Sequence, residues 1–295
     1  MKLPSQILNF IFYGGLQFAA IVFPRPLLLF KGRVWGFFLY FLDKKHRTLA
    51  LQNIAIAFPD ESLTFRKKIA KQSFVHFGEV IFDLLKISHF NNQRISRLLT
   101  IEGEQYLKKA LEEKKGVLLF SAHYGNWEIA SFLLSRISKL HVVARPLDST
   151  FWEKKILNLR QKLGASVIYK HEAARKVIKA LHNRETVAIL IDQNVLRSQA
   201  VFIDFFGKQA ATTPSLAAFH LHTQAPIVPV YCYPEKNHTY RVQIMPPVQV
   251  LSEEKNDGIV LKITQICSKI IENQIRSRPQ FWFWVHNRWK TRPKN

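Results

Sequence analysis

Cysteine is nearly absent from this 295-residue chain, with only Cys232 and Cys267, far apart in sequence. That excludes a disulfide framework and a multi-cysteine metal site, and makes a reducing compartment the default. Acidic residues are also scarce: 21 Asp and Glu stand against 43 Lys and Arg, for a formal net charge of +22 and a pI near 10.1. No internal repeat and no low-complexity segment is visible. The chain is nonetheless 47% hydrophobic and 13% aromatic, with 23 Phe. Disordered basic tails lack such residues, so a mostly disordered chain is excluded. The length suits one large domain with an appendage or two small domains, and it suffices to bury a core without staples. A charge this positive asks for an anionic partner: nucleic acid, phosphorylated lipid or an acidic protein.

Charge is missing altogether between Leu3 and Pro24, where an apolar run spans Ile7–Phe23. About 20 apolar residues cross a bilayer as a helix, although Gly14, Gly15 and Gln17 weaken this one. Phe23-Pro24-Arg25-Pro26 follows, which suits signal-peptide cleavage badly and ends or kinks a helix. The later apolar stretches Leu27–Phe30 and Val34–Leu42 are too short to span and read as interfacial. Basic residues (Arg25, Lys31, Arg33, Lys44, Lys45, Arg47) crowd the distal side, which the positive-inside rule makes cytoplasmic. Residues 1–45 are therefore expected to form a single N-terminal membrane anchor with an interfacial segment, and residues 46–295 the globular domain. A buried hairpin of core helices is the competing reading.

A helical pattern runs from Leu63 to Ile87. From Gly116 onward, short apolar runs rich in β-branched and aromatic residues alternate with amphipathic stretches. Strands are predicted at Val117–Ala122, Val142–Ala144, Val167–Tyr169, Val187–Ile191, Val201–Phe205, Ile227–Tyr233 and Tyr240–Met245. Helices are predicted near Glu128–Ile137, Trp152–Leu163, Glu172–Asn183, Pro214–Thr223 and Gly258–Ile275. Such alternation predicts an α/β fold, an open sheet flanked by helices on both faces.

The segment from Val117 to Glu128 carries the strongest chemical signal. A buried-type strand leads to His123, a Tyr-Gly-Asn turn follows, and a helix begins around Trp127. Functional groups collect at the carboxyl ends of strands in such sheets. On one continuous helix Glu128 would lie about 140° from His123; the glycine turn could fold the carboxylate back onto the imidazole. A carboxylate on one ring nitrogen fixes the tautomer and raises the basicity of the other. Equally, Asn126 could cap the helix while Glu128 complements its dipole. Zinc is disfavoured, because no second histidine sits at ligand spacing and His220 and His222 face opposite ways.

Several blocks together resemble the bacterial lipid A late (secondary) acyltransferases, lauroyl- and myristoyl-transfer enzymes of the lysophospholipid acyltransferase superfamily. They are Asn53–Pro59 (Asn-hydrophobic-Phe-Pro), Ser121–Glu128 with its His-x4-Glu element, Ala144–Asp148, Arg160, Asp192-Gln193, and Phe205–Gly207 followed by Thr212 and Pro214. The aromatic and basic tail Trp284–Pro293 completes the ordered set. The resemblance implies a mixed open sheet of glycerolphosphate-acyltransferase type and transfer of a fatty acyl chain from acyl carrier protein to a hydroxyl of a phosphorylated glycolipid. It implies work at the cytoplasmic face of the inner membrane, without cofactor or metal. His123 is then the base and Glu128 its orienter, with Arg145 and the amides near Gly125–Asn126 as oxyanion donors. Arg145, Asn126, Asp192 and Arg160 become candidate substrate-binding residues. Each also has a plainer reading: a surface arginine before a turn, a helix cap, the start of a turn, and a solvated helix face. Asp192 could alternatively orient Arg145 or Arg160, and Phe205–Gly207 could line the acyl chain or sit in the core.

In the tail, Phe281–Trp284 with Arg288, Trp289, Lys290 and Arg292 suits either single-stranded nucleic acid or a membrane headgroup layer. No nucleic-acid module accompanies it, so lipid is expected and nucleic acid is not. Acylation of another lysolipid or glycolipid, and a basic membrane-peripheral protein without catalysis, are the alternatives.

Overall fold

The computed structural model describes residues 5–250 and 258–293, and the side chains of all of these except residues 5–12 and 171. The N-terminal half opens with four helices, α1 (Ser5–Val22), α2 (Arg25–Leu42), α3 (Lys44–Ala57) and α4 (Leu63–Ile87). Short α5 (Asn92–Ser96), β1 (Leu99–Glu102) and α6 (Glu104–Glu112) lead into the alternating part. There β2 (Val117–Ser121), α7 (Trp127–Ile137), β3 (Leu140–Ala144), α8 (Thr150–Lys162), β4 (Ala165–Tyr169), α9 (Ala173–His182) and β5 (Thr186–Leu190) follow one another. The chain continues through β6 (Val201–Phe205), β7 (Lys208–Thr212), α10 (Ser215–Thr223), β8 (Ile227–Pro234), β9 (Tyr240–Ile244) and α11 (Ile259–Ser277).

Seven strands form one sheet in the order β1-β9-β8-β2-β5-β3-β4, parallel except for the antiparallel β8–β9 pair. The mixed α/β sheet flanked by helices is thus present. The central strands are apolar on both faces, as parallel strands covered by helices must be; Val117 to Phe120 are all buried. The expected strand Val201–Phe205 forms, but it stands outside this sheet in a hairpin with β7. Strands β1 and β7 were not predicted: Leu99–Glu102 and Lys208–Thr212 have too few apolar residues to show the pattern.

The spanning anchor expected within residues 1–45 is not supported: among the described residues no helix is long and apolar enough to cross a membrane. Residues 1–4, and the side chains of 5–12 within that expected run, lie outside the described residues. Pro24 breaks the segment into two helices of 18 residues each. One face of α2 packs on protein, since Leu28, Leu29, Gly32, Gly36 and Tyr40 are buried. Glycine permits that approach: a Cβ on Gly36 would lie 2.3 Å from the Phe74 carbonyl, and one on Gly78 would lie 2.2 Å from the Gly32 carbonyl. Arg25 binds both carboxylate oxygens of buried Asp83 at 2.6 and 2.7 Å, and the Tyr240 hydroxyl donates to the same carboxylate at 2.6 Å. Helix α2 is therefore fastened through α4 to the sheet. Its opposite face leaves Phe30, Phe38, Phe41 and Leu42 exposed, and Phe18, Ile21 and Val22 of α1 are exposed as well.

The glycine crossing yields the first expected outcome. Gly78→Val should destabilise the chain by about 1–3 kcal/mol, because the obstructing atoms are backbone and cannot turn aside. Urea unfolding measures this, and an unchanged midpoint would refute the close helix contact.

Candidate active site

Strand pairing creates the site. Strands β2 and β5 lie side by side in parallel register with Ser121 opposite Leu190. Two residues beyond those positions come His123 and Asp192, so the pairing itself delivers an imidazole and a carboxylate to one spot at the carboxyl end of the sheet. His123 Nδ1 lies 2.8 Å from Asp192 Oδ1, and the His123 amide donates to Oδ2 at 2.9 Å. The Trp282 indole donates to Oδ2 at 2.8 Å. Burial opposes the Asp192 charge, but the charge of His123, its hydrogen bonds and that of Trp282 outweigh this and hold the carboxyl down at about 2. An ionised carboxylate only accepts, so Nδ1 carries the proton and Nε2 presents its lone pair. The imidazole packs edge-on against Trp127 and stays part-exposed, its partner carboxylate being sealed beneath it.

This geometry corrects the expected dyad. The carboxylate that holds His123 is Asp192, whereas Glu128 is taken by Arg160, whose Nη2 and Nε donate at 2.6 and 3.0 Å. Glu128 is the second residue of α7 and is buried, and its carboxylate also accepts from the Trp127 indole at 3.2 Å. Burial opposes the charge on Arg160, but the bond to Glu128 prevails and raises its pKa. Arg160 is accordingly no solvated lysine-like side chain, and Asp192 orients His123 rather than Arg145 or Arg160. Arg145 is also displaced: its guanidinium is exposed and pairs with Asp148 at 2.9 Å. Strand β5 lies between β2 and β3, so the ends of β2 and β3 are not adjacent. Asn126 caps α7 through its side chain on the Ile129 amide. The expected amide donors are engaged too: Gly125 N donates to the Phe281 carbonyl and Asn126 N to that of Cys232, at 2.8 and 2.9 Å.

The C-terminal stretch is the larger surprise. Trp282, Trp284, Arg288 and Trp289 are buried rather than laid out for headgroups or bases. Phe283 N donates to the His123 carbonyl at 3.0 Å, stitching the tail to the turn after β2. Asn53 donates to the carbonyls of Trp284 and His286, both at 2.7 Å, and Ser73 to that of Trp282 at 2.9 Å. Arg288 donates to the Ala211 carbonyl at 2.6 Å and to the Thr212 hydroxyl. Burial lowers it to about 10, with Asp192 acting in the opposite sense. His286 accepts from the Asn194 amide at 2.9 Å and is lowered to about 4 by burial. His76 of α4, also lowered to about 4 by burial, hydrogen-bonds the Gly125 backbone. Gly125 itself has φ +61°, and a Cβ there would strike the Cys232 carbonyl at 1.8 Å. Phe205 and Phe206 belong to the core.

Between the sheet and α7 lies a narrow apolar cleft of about 70 Å³, lined by Leu119, Ala130, Leu134, Val142, Ala188 and Val230. Trp127, Glu128 and Arg160 also line it. Among the described residues no cluster of three or more His, Cys, Asp or Glu could hold a metal ion.

Residues 1–291 match the family model described as bacterial lipid A biosynthesis acyltransferase. The chain belongs to that family. It is 24% identical over 281 residues to a lipid A biosynthesis palmitoleoyltransferase of Escherichia coli (strain K12), covering 95% of this chain and 90% of that one. It is 26% identical to a lipid A biosynthesis acyltransferase of Haemophilus influenzae, covering 92% of this chain and 86% of the relative. It is 23% identical to the lipid A biosynthesis lauroyltransferase of Escherichia coli (strain K12), with 95% and 90% covered. In this member of the lipid A acyltransferases, Asn53 of the Asn-hydrophobic-Phe-Pro block serves to hold the tail, and the tail holds Asp192.

The depressed Asp192 pKa fixes a sign. Its charge stabilises the fold fully above the ordinary value of 3.8, and that contribution is lost as pH falls through about 2. Asp192→Asn should therefore be less stable than the parent at pH 7 by roughly 1–3 kcal/mol, with the gap closing between pH 4 and 2. Denaturant unfolding at both ends of that range is the check, and an equal gap at each would contradict the buried, ionised carboxylate.

Proposed function

We propose that this chain transfers a fatty acyl group from the thioester of acyl carrier protein to a hydroxyl of a phosphorylated lipid A precursor, with His123 as general base. The observation that carries the reading is the orientation of His123: Nδ1 is held by a buried carboxylate, so Nε2 is the nitrogen left to accept a proton. An alcohol is a weak nucleophile at neutral pH, and a positioned base typically contributes about 10²–10⁴-fold. The acceptor hydroxyl gives its proton to Nε2 as its oxygen attacks the thioester carbonyl. The carbon–sulfur bond then breaks, and the thiolate takes the proton back from the imidazolium. Asp192 serves as the orienter in place of Glu128, stabilising the imidazolium through Nδ1.

The Glu128–Arg160 pair takes a different part in this reading. It stands on the wall of the apolar cleft, and in this reading the donor carbonyl comes to rest against the Arg160 guanidinium. Arg160, rather than Arg145, is then the donor to the developing oxyanion. The family and its named relatives support lipid A as the pathway, and relatives named for palmitoleoyl, myristoyl and lauroyl transfer support a long-chain donor. Mass spectrometry of the lipid A fraction tests the whole reading. A host lacking this chain should lose one acyl group per molecule and regain it with the parent chain but not with His123→Ala. Restoration by the variant would remove His123 from the chemistry, and an unchanged lipid A with a changed phospholipid fraction would move the acceptor to another lysolipid.

We place the chain at the cytoplasmic face of the inner membrane, with residues 1–45 as its membrane-contacting part and 46–295 as the acyltransferase domain. The exposed Phe30, Phe38 and Phe41 of α2, together with exposed Phe18 and Ile21 of α1, support an interfacial seat, and the charge of +22 supports anionic partners. Each buried aromatic is worth about 1.5–3 kcal/mol, so replacing the three α2 phenylalanines by Ser should cut partitioning onto anionic vesicles at least tenfold. Vesicle flotation measures it; equal flotation of both proteins would discard this seat.

A further inference from the structure

The nitrogen that the proposed reaction needs is already occupied. Gln193 follows Asp192 directly, and its side-chain Nε2 lies 3.3 Å from His123 Nε2. With the Asp192 carboxylate on the Nδ1 proton, Nε2 of the neutral imidazole is an acceptor, and the glutamine meets it with an N–H. Among the described residues, this is the hydrogen bond of the Gln193 amide group. Its backbone is differently held: Arg288 donates to the Gln193 carbonyl at 3.5 Å, and the next amide, Asn194 N, donates to His286 at 2.9 Å. Asn194 is in turn clamped to Thr291 by bonds of 3.1 and 3.0 Å. A backbone held on both sides thus carries a side chain whose amide lies where a nucleophile's O–H would have to sit.

Water is the hazard at such a centre. The His123 imidazole is part-exposed at 21%, so solvent reaches it. Resting on His123 being the base, we infer that Gln193 keeps Nε2 engaged until the acceptor hydroxyl displaces it, and so suppresses hydrolysis of the acyl donor. The suppressed reaction is simple. Water gives its proton to Nε2, its oxygen bonds to the thioester carbon, the carbon–sulfur bond breaks, and the thiolate is protonated by the imidazolium. Free fatty acid and thiol result. Gln193 is a positioning residue, acting through His123; the ordered acceptor, held by many contacts, outcompetes it where a single water does not. A neutral hydrogen bond has a net worth of about 1 kcal/mol, an occupancy ratio of about fivefold.

The experiment uses the purified full chain and an acyl carrier protein thioester, with and without the lipid A precursor, measuring free fatty acid and acylated lipid. Gln193→Ala should release fatty acid about fivefold faster than the parent without acceptor, and raise the ratio of hydrolysis to transfer when acceptor is present. The double variant His123→Ala/Gln193→Ala should return to background. Unchanged release by folded Gln193→Ala, or a gain that survives in the double variant, overturns the inference. Should the alanine variant fail to fold, Gln193→Asn, which withdraws the amide by one methylene, carries the same expectation. The single His123→Ala variant separates the two readings: wild-type transfer by it defeats the base assignment itself, whereas loss of transfer with no hydrolysis gain in Gln193→Ala defeats the role of Gln193 alone.

Discussion

An ionised carboxylate buried beneath a histidine constrains most of this molecule. Burying Asp192 without partners would cost several kcal/mol, so the fold must supply donors from several directions. Two come from His123, because the β2–β5 register brings the strand ends together. A third comes from Trp282, far along the chain, whose segment folds back against the turn after β2 to reach it. That return path needs fasteners of its own: Asn53 and Ser73 on the tail carbonyls, and Arg288 between β7 and the segment after β5. The Asp192 charge offsets part of what burial costs the Arg288 guanidinium. The terminal residues thus belong to the floor of the site.

Helix α4 links this floor to the exposed apolar surface. Ser73 holds the tail, His76 the glycine turn after β2, and Asp83 the Arg25 guanidinium at the start of α2, all three being buried on the sheet-facing side. The opposite contact, where Gly78 meets Gly32 and Gly36, seats α2 so closely that its phenylalanines can only face outward. One rigid helix therefore sets both the orientation of the proposed membrane-facing surface and the shape of the turn that carries His123.

Much of the sheet was legible because parallel, doubly covered strands read as unbroken apolar runs; Val117–Phe120 and Val187–Leu190 are examples. Strands such as Lys208–Thr212, half polar and paired only in a hairpin, left no such trace. At the site, His123 and Asp192 were each recognisable as ending an apolar run. Their contact was not, since it depends on β5 inserting between β2 and β3, an order the linear sequence does not contain. Local spacing pointed instead to Glu128, five residues away, whose carboxylate is taken by Arg160 of α8. The tail misled for a related reason: Trp beside Arg is the composition of a headgroup layer, and also of a core in which arginine satisfies backbone carbonyls. Only the long-range bonds of Arg288 and Asn53 distinguish the two.

The central claim, that Asp192 acts through His123 while Glu128 acts elsewhere, is tested most directly by a double-mutant cycle on the transfer rate. Residues that act as a unit are non-additive. Adding Asp192→Ala to His123→Ala should therefore cost little beyond the histidine change alone, whereas adding Glu128→Gln should lower the residual rate by nearly its full separate effect. Additive losses for His123 with Asp192, together with non-additive losses for His123 with Glu128, would contradict the account and restore the histidine–glutamate dyad.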